Sequence, residues 1–181
     1  RCYAFSQSPM NAPQPTHPVM VALADTFATH QLSKLPFQNL LDAFRQDQGT
    51  TRYETDADLL AYCERSANPV GRILLQLAKV DSPSSLVWSD AICTGLQLAN
   101  FCQDMSRDAA MGRIYFPRSR WRSFGLDEET LLTTTFHPRK GLALQEWVDD
   151  ARAYLEIGRP LASFVPRWLQ RDILLFLGGG L

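Results

Sequence analysis

The stretch that decides the fold is Gln97-Leu98-Ala99-Asn100-Phe101-Cys102-Gln103-Asp104-Met105-Ser106-Arg107-Asp108. An α-helix advances about 100° per residue, so Gln97, Asn100, Asp104 and Asp108 fall within roughly 80° of arc. Two amides and two carboxylates therefore share one stripe, about three turns long. Leu98, Phe101, Cys102 and Met105 lie on other faces and can pack. The same periodicity extends from about Leu86 to Ala110, and Gly112 closes it. Inside a bundle, carboxylates on such a stripe must meet a cation or strong donors. Oxygen ligands at i, i+4 suit Mg2+, which takes one or two carboxylates and fills its other positions with water and phosphate oxygens. A solvated helix face carries the same acids with no ligand; the two amides on the stripe shift the balance towards a site.

Outward from this helix, the chain reads as further helices. Residues 1–16 hold Pro9, Pro13 and Pro15 among polar residues and read as a linker or disordered lead-in. Apolar spacing at Val19, Leu23 and Phe27 predicts a helix from His17 to about Leu32, and Pro36 opens another through Phe37, Leu40, Leu41 and Phe44. A polar connection, 46–54, leads to a helix beginning near Asp56 or Asp58. It meets Asn68-Pro69, where a break is expected because proline removes a hydrogen bond and clashes with the preceding turn. The pattern resumes through Val70, Ile73, Leu74 and Leu77. Beyond Gly112, helical patterns recur at about 118–123, 127–135, 139–157 and 166–177, with a turn at Gly178–Gly180. No run alternates as a strand does. The expected fold is all-α, one bundle-like domain over 17–181.

Composition agrees. The 181 residues include 45% hydrophobic residues, enough for one sizeable core, and 18 Lys+Arg against 19 Asp+Glu give a net charge of −1. That excludes a polyelectrolyte and argues against nucleic acid as a partner. Cys2, Cys63, Cys93 and Cys102 form no CxxC pair and read as reduced thiols rather than a disulfide or zinc framework. The longest apolar run near the end, Ile173–Leu177, is far short of the roughly 20 residues that span a bilayer.

A second segment, Tyr62-Cys63-Glu64-Arg65-Ser66-Ala67-Asn68-Pro69-Val70-Gly71, combines a phenol, small residues and the proline break. Small side chains let another helix, or a long flat ligand, approach closely. With the acidic stripe and with Gly112-Arg113-Ile114-Tyr115-Phe116-Pro117, in that order and spacing, it resembles the squalene/phytoene synthase family across about 17–181. His17-Pro18-Val19, Leu35-Pro36-Phe37, Ser66–Arg72 and Asn100–Asp104 look most like the bacterial hydroxysqualene synthase branch. Gln103 stands where carotenoid-forming members usually carry Arg.

The resemblance implies an isoprenoid-synthase bundle and a Mg2+-dependent enzyme. Asp104 and Asp108 match the second aspartate-rich motif, which holds Mg2+ and diphosphate, with Gln97 and Asn100 as amide partners. Tyr62 matches a catalytic tyrosine, Arg113 and Tyr115 the phosphate end, and Ala67, Val70 and Gly71 the wall of the prenyl tunnel. The implied substrate is a prenyl diphosphate. Presqualene diphosphate would give hydroxysqualene; the alternatives are squalene, dehydrosqualene or phytoene from two prenyl diphosphates, or a non-catalytic scaffold or assembly factor. The resemblance places the protein in the cytoplasm and leaves peripheral contact at the inner membrane face open. The family's first aspartate-rich motif and its last helix have no counterpart in these residues. A chain of this length is therefore expected to be incomplete at both ends, inactive alone, and to expose apolar helix faces.

Overall fold

The computed structural model describes residues 2–7, 14–80, 82–132 and 137–180. In chain order the helices are α1 (Cys2–Gln7), α2 (Pro18–His30), α3 (Leu35–Gln46), α4 (Asp56–Ser66), α5 (Asn68–Ala78), α6 (Pro83–Gln103), α7 (Met105–Ala110), α8 (Arg118–Ser123), α9 (Glu128–Leu132), α10 (Pro138–Gly158) and α11 (Arg167–Gly180). A 3-10 turn, Arg159–Ser163, joins the last two. Among the described residues the only β pairing is one isolated parallel bridge, Arg52 with Ile114. The fold is all-α, as the periodicity predicts.

Helix starts follow from their caps. Thr55 and Asp58 form a reciprocal capping box at α4: Asp58 N donates to Thr55 Oγ1 at 3.2 Å, and Thr55 N donates to Asp58 Oδ2 at 2.9 Å. Ser82 caps α6, whose first residue is Pro83. The expected break between α4 and α5 falls at Ala67.

α6 is the axle of the bundle, packed along α10 on one side and α5 on another. A Cβ on Gly95 would lie 2.9 Å from Ala151 O and from Leu155 Cγ, so glycine is what lets α6 touch α10. Gly71, on α5, plays this part against α6: a Cβ there would meet Ser89 Oγ at 2.3 Å and Cys93 Sγ at 2.7 Å. Two apolar clusters result. One gathers Tyr53, Tyr62, Leu98, Phe101, Phe116 and Trp147, with the Phe116 and Trp147 rings stacked at 4.6 Å. The other gathers Leu75, Ile92, Leu155, Leu161, Leu169 and Ile173. Apolar side chains also stand exposed on α2, α3 and α11, among them Val19, Leu41, Phe44, Trp168 and Leu175.

Three local readings are corrected. Part of the expected lead-in, residues 2–7, is helical as α1, and Tyr3 meets Phe27 of α2 edge-on at 5.4 Å; residues 8–13 lie outside the described residues. Gly178–Gly180 are not a turn but continue α11. The long helix is interrupted at Asp104, with φ −90° and ψ 3°. Hydrogen bonds from Asp104 N to Asn100 O (2.9 Å) and from Asp108 N to Asp104 O (2.8 Å) run on both sides, so the interruption is a bend that keeps the stripe together. The thiols of Cys63, Cys93 and Cys102 are free; burial pushes them up to about 12, 11 and 11, so they stay protonated.

Candidate active site

The bend places Asp104 at the end of α6 and Asp108 on α7. Gln97, Asp104 and Asp108 are half-buried and Asn100 is exposed. Among the described residues, none of these four side chains forms a hydrogen bond or ion pair with the protein. Other acids of the bundle are held: Arg72 grips Asp90 through two nitrogens, Arg120 bridges Asp56 and Asp150, and Arg52 binds Glu128 at 2.7 Å. Partial burial, and then the charge of Asp104, raise the Asp108 carboxyl above the ordinary range, against the pull of Arg107 and Arg113. Two like charges that no arginine contacts in a direct ion pair fit a divalent cation. They supply two ligands, and no group of three or more His, Cys, Asp or Glu among the described residues could hold a metal by itself. Such a donor set suits an ion that keeps water and substrate oxygens in its shell.

Behind the stripe stands an aromatic wall. Tyr62, 4% exposed, is flanked by Tyr53 at 5.5 Å, Tyr115 at 6.0 Å and Phe101 at 6.4 Å between ring centroids. Tyr115 lies flat on Phe101 at 4.0 Å. The Tyr62 hydroxyl donates to Asp47 Oδ1 at 2.8 Å. Burial, then this bond, then the neighbouring phenols keep it protonated well above the usual tyrosine range. Arg113 Nη2 donates to Asp47 O at 2.8 Å and Nη1 reaches Tyr115 Oη at 3.5 Å. The Arg113 main-chain N–H donates to Asp108 O at 2.8 Å. The structure thus brings Tyr62, Arg113, Tyr115 and the Asp108 end of the stripe into one region.

The small residues lie apart from it. Ala67 is buried at the α4–α5 break. Val70 and Gly71 line an apolar cavity of about 190 Å3 between α5, α6 and α11, closed by Leu96, Leu161, Ile173 and Phe176. Gly71 also carries the α5–α6 approach, so packing alone accounts for its size.

Sequence reasoning missed Asp47. Its one local signal is an acid at the C-terminal end of α3, where the helix dipole disfavours negative charge and a tertiary partner must offset it.

The family model for squalene/phytoene synthase matches residues 1–181. The chain belongs to the squalene/phytoene synthase family. It is 35% identical to hydroxysqualene synthase of Rhodopseudomonas palustris over 151 residues, covering 82% of this chain and 51% of that protein. It is 32% identical to 15-cis-phytoene synthase of Synechococcus elongatus over 157 residues, covering 80% of this chain and 51% of that protein. The crystal structure of squalene synthase HpnC from Alicyclobacillus acidocaldarius superposes with a TM-score of 0.91 at 36% identity, over 98% of this chain and 66% of that one. The chain thus spans about half the length of these two curated relatives. As a member of this family it has the all-α isoprenoid-synthase fold. No helix among its described residues is long and apolar enough to cross a membrane.

Proposed function

We propose that the complete protein converts presqualene diphosphate to hydroxysqualene. The observation that carries this is the uncommitted stripe of Gln97, Asn100, Asp104 and Asp108 beside Arg113 and Tyr62, in a chain 35% identical to a hydroxysqualene synthase. Asp104 and Asp108 hold Mg2+, which when bound neutralises charge on the leaving diphosphate. Gln97 and Asn100 offer amide N–H groups to diphosphate oxygens, and Arg113 adds positive charge at that end. The carbon–oxygen bond breaks with its electron pair on diphosphate; the rearranged cation takes the oxygen of a water, which then gives up a proton to the released diphosphate. Tyr62 presents a protonated phenol dipole to the cation, and the aromatic wall keeps other water away. Val70 and Gly71 border the prenyl chain. Because the substrate is apolar, peripheral contact with the inner face of the membrane belongs to the same reading.

Incubating the complete protein with presqualene diphosphate and Mg2+ and identifying the lipid tests this. Hydroxysqualene supports it. The identity with 15-cis-phytoene synthase supports a second reading: phytoene, formed from two prenyl diphosphates, would replace the first. A protein that turns over neither substrate, and whose melting temperature does not rise with Mg2+ and diphosphate, is a scaffold or assembly factor.

A further inference from the structure

We infer that Asp47 is a positioning residue for Tyr62: its carboxylate takes the phenol's one proton in a hydrogen bond and so fixes where the Oη lone pairs face. This rests on the reading of Tyr62 as the group that faces the reacting cation. The ring of Tyr62 is buried among Tyr53, Tyr115 and Phe101, which fix its plane. The remaining freedom is rotation of the O–H, since a phenol has one proton to give. The 2.8 Å bond to Asp47 Oδ1 removes that freedom. Donation to a carboxylate also leaves the phenol oxygen richer in electrons, which suits a developing positive charge.

Asp47 is itself held from several sides. It caps the C-terminal end of α3, with φ −61° and ψ −19°. Its main-chain oxygen accepts from Arg113 Nη2, and Arg113 is tied to Asp108 through its own N–H. The preceding residue, Gln46, accepts from Arg65 Nη2 at 2.7 Å and donates to Tyr53 Oη at 3.3 Å. Asp47 therefore links the Tyr62 phenol to the arginine beside the acidic stripe.

The test uses the complete protein with Asp47→Asn, Tyr62→Phe and the double variant. Asp47→Asn keeps the shape and an acceptor oxygen but removes the charge. The first readout needs no substrate: the Tyr62 Cζ resonance in protein carrying isotope-labelled tyrosine, assigned by its loss in Tyr62→Phe. We expect it to move in Asp47→Asn, with the melting temperature close to the parent. The second readout is turnover of presqualene diphosphate with Mg2+. Asp47→Asn is expected to lower kcat by on the order of tenfold or more, with KM within about twofold, and the double variant to be no slower than Tyr62→Phe alone. Should Asp47→Asn fold poorly, Asp47→Glu keeps the charge, displaces the acceptor, and is expected to show the same kcat-only loss. An unmoved Tyr62 resonance, an unchanged kcat, or losses that multiply in the double variant overturn the inference. If the parent turns over no prenyl diphosphate, the proposed function fails, and the resonance still decides whether Asp47 holds Tyr62.

Discussion

The stripe of α6–α7 and the clasp around Arg120 are built from the same materials and stand in opposite states. In the clasp, Arg120 reaches Asp56 of α4 at 3.0 Å and also grips Asp150 of α10, so both carboxylates have a protein partner. In the stripe, Asp104 ends α6 and Asp108 stands on α7 with no side-chain hydrogen bond or ion pair among the described residues, and the charge of Asp104 disfavours ionisation of Asp108. A satisfied acid holds helices together. An ordered acid left unsatisfied keeps its charge for something that is not protein. The first should matter to stability and the second to chemistry.

The sharpest way to break that contrast is Asp104→Ala in the complete protein. We expect turnover to fall by on the order of a hundredfold or more, with little change in melting temperature; unchanged kinetics would remove the stripe from the chemistry. Arg120→Ala should do the reverse. It leaves two half-exposed carboxylates without their arginine and should cost about 1–3 kcal/mol in urea denaturation, with turnover per folded molecule preserved. A variant as stable as the parent would show the clasp to be ornamental.

Two glycines sharpen the stability side. Gly95→Ala should cost about 1–3 kcal/mol, because its methyl meets the fixed carbonyl of Ala151. Gly71→Ala should cost less, because Ser89 Oγ and Cys93 Sγ are ends of side chains that can rotate away. Equal costs in thermal melts would mean that α5 yields no more easily than α10.

The smallest effect concerns Glu128, whose bond to Arg52 holds its carboxyl below the usual glutamate range. A depressed acid contributes stability above its unfolded value and loses it as the pH falls through the folded one. Glu128→Gln should therefore cost under about 1 kcal/mol at neutral pH and nothing in strong acid. Comparing unfolding free energies at the two pH values checks this.

Periodicity made most of the fold legible. The α8 boundaries, a break next to Asn68-Pro69 and the start of α4 follow from caps, prolines and apolar spacing, which act within one turn, whereas α6 begins at Pro83, a turn before the Leu86 that apolar spacing alone suggests. The acidic stripe was legible for the same reason: its members share one helix face. Other features were decided by partners remote in sequence. Asp47 looks like any surface acid until α4 brings Tyr62 over it. Cys2–Gln7 is a helix that rests on Phe27, a contact no local pattern announces. Gly178–Gly180 resemble a stop, yet α11 runs through them; glycine weakens a helix without forbidding it.

The bend at Asp104 also divides the stripe by cost of opening. α6 carries eight buried residues and α7 none. Segments with little buried surface unfold locally at a small fraction of the global free energy. Amide protons of Met105–Ala110 should therefore exchange with solvent long before those in the middle of α6. Asp108 rides on a turn that opens cheaply, and Asp104 sits where that turn meets the buried length of α6.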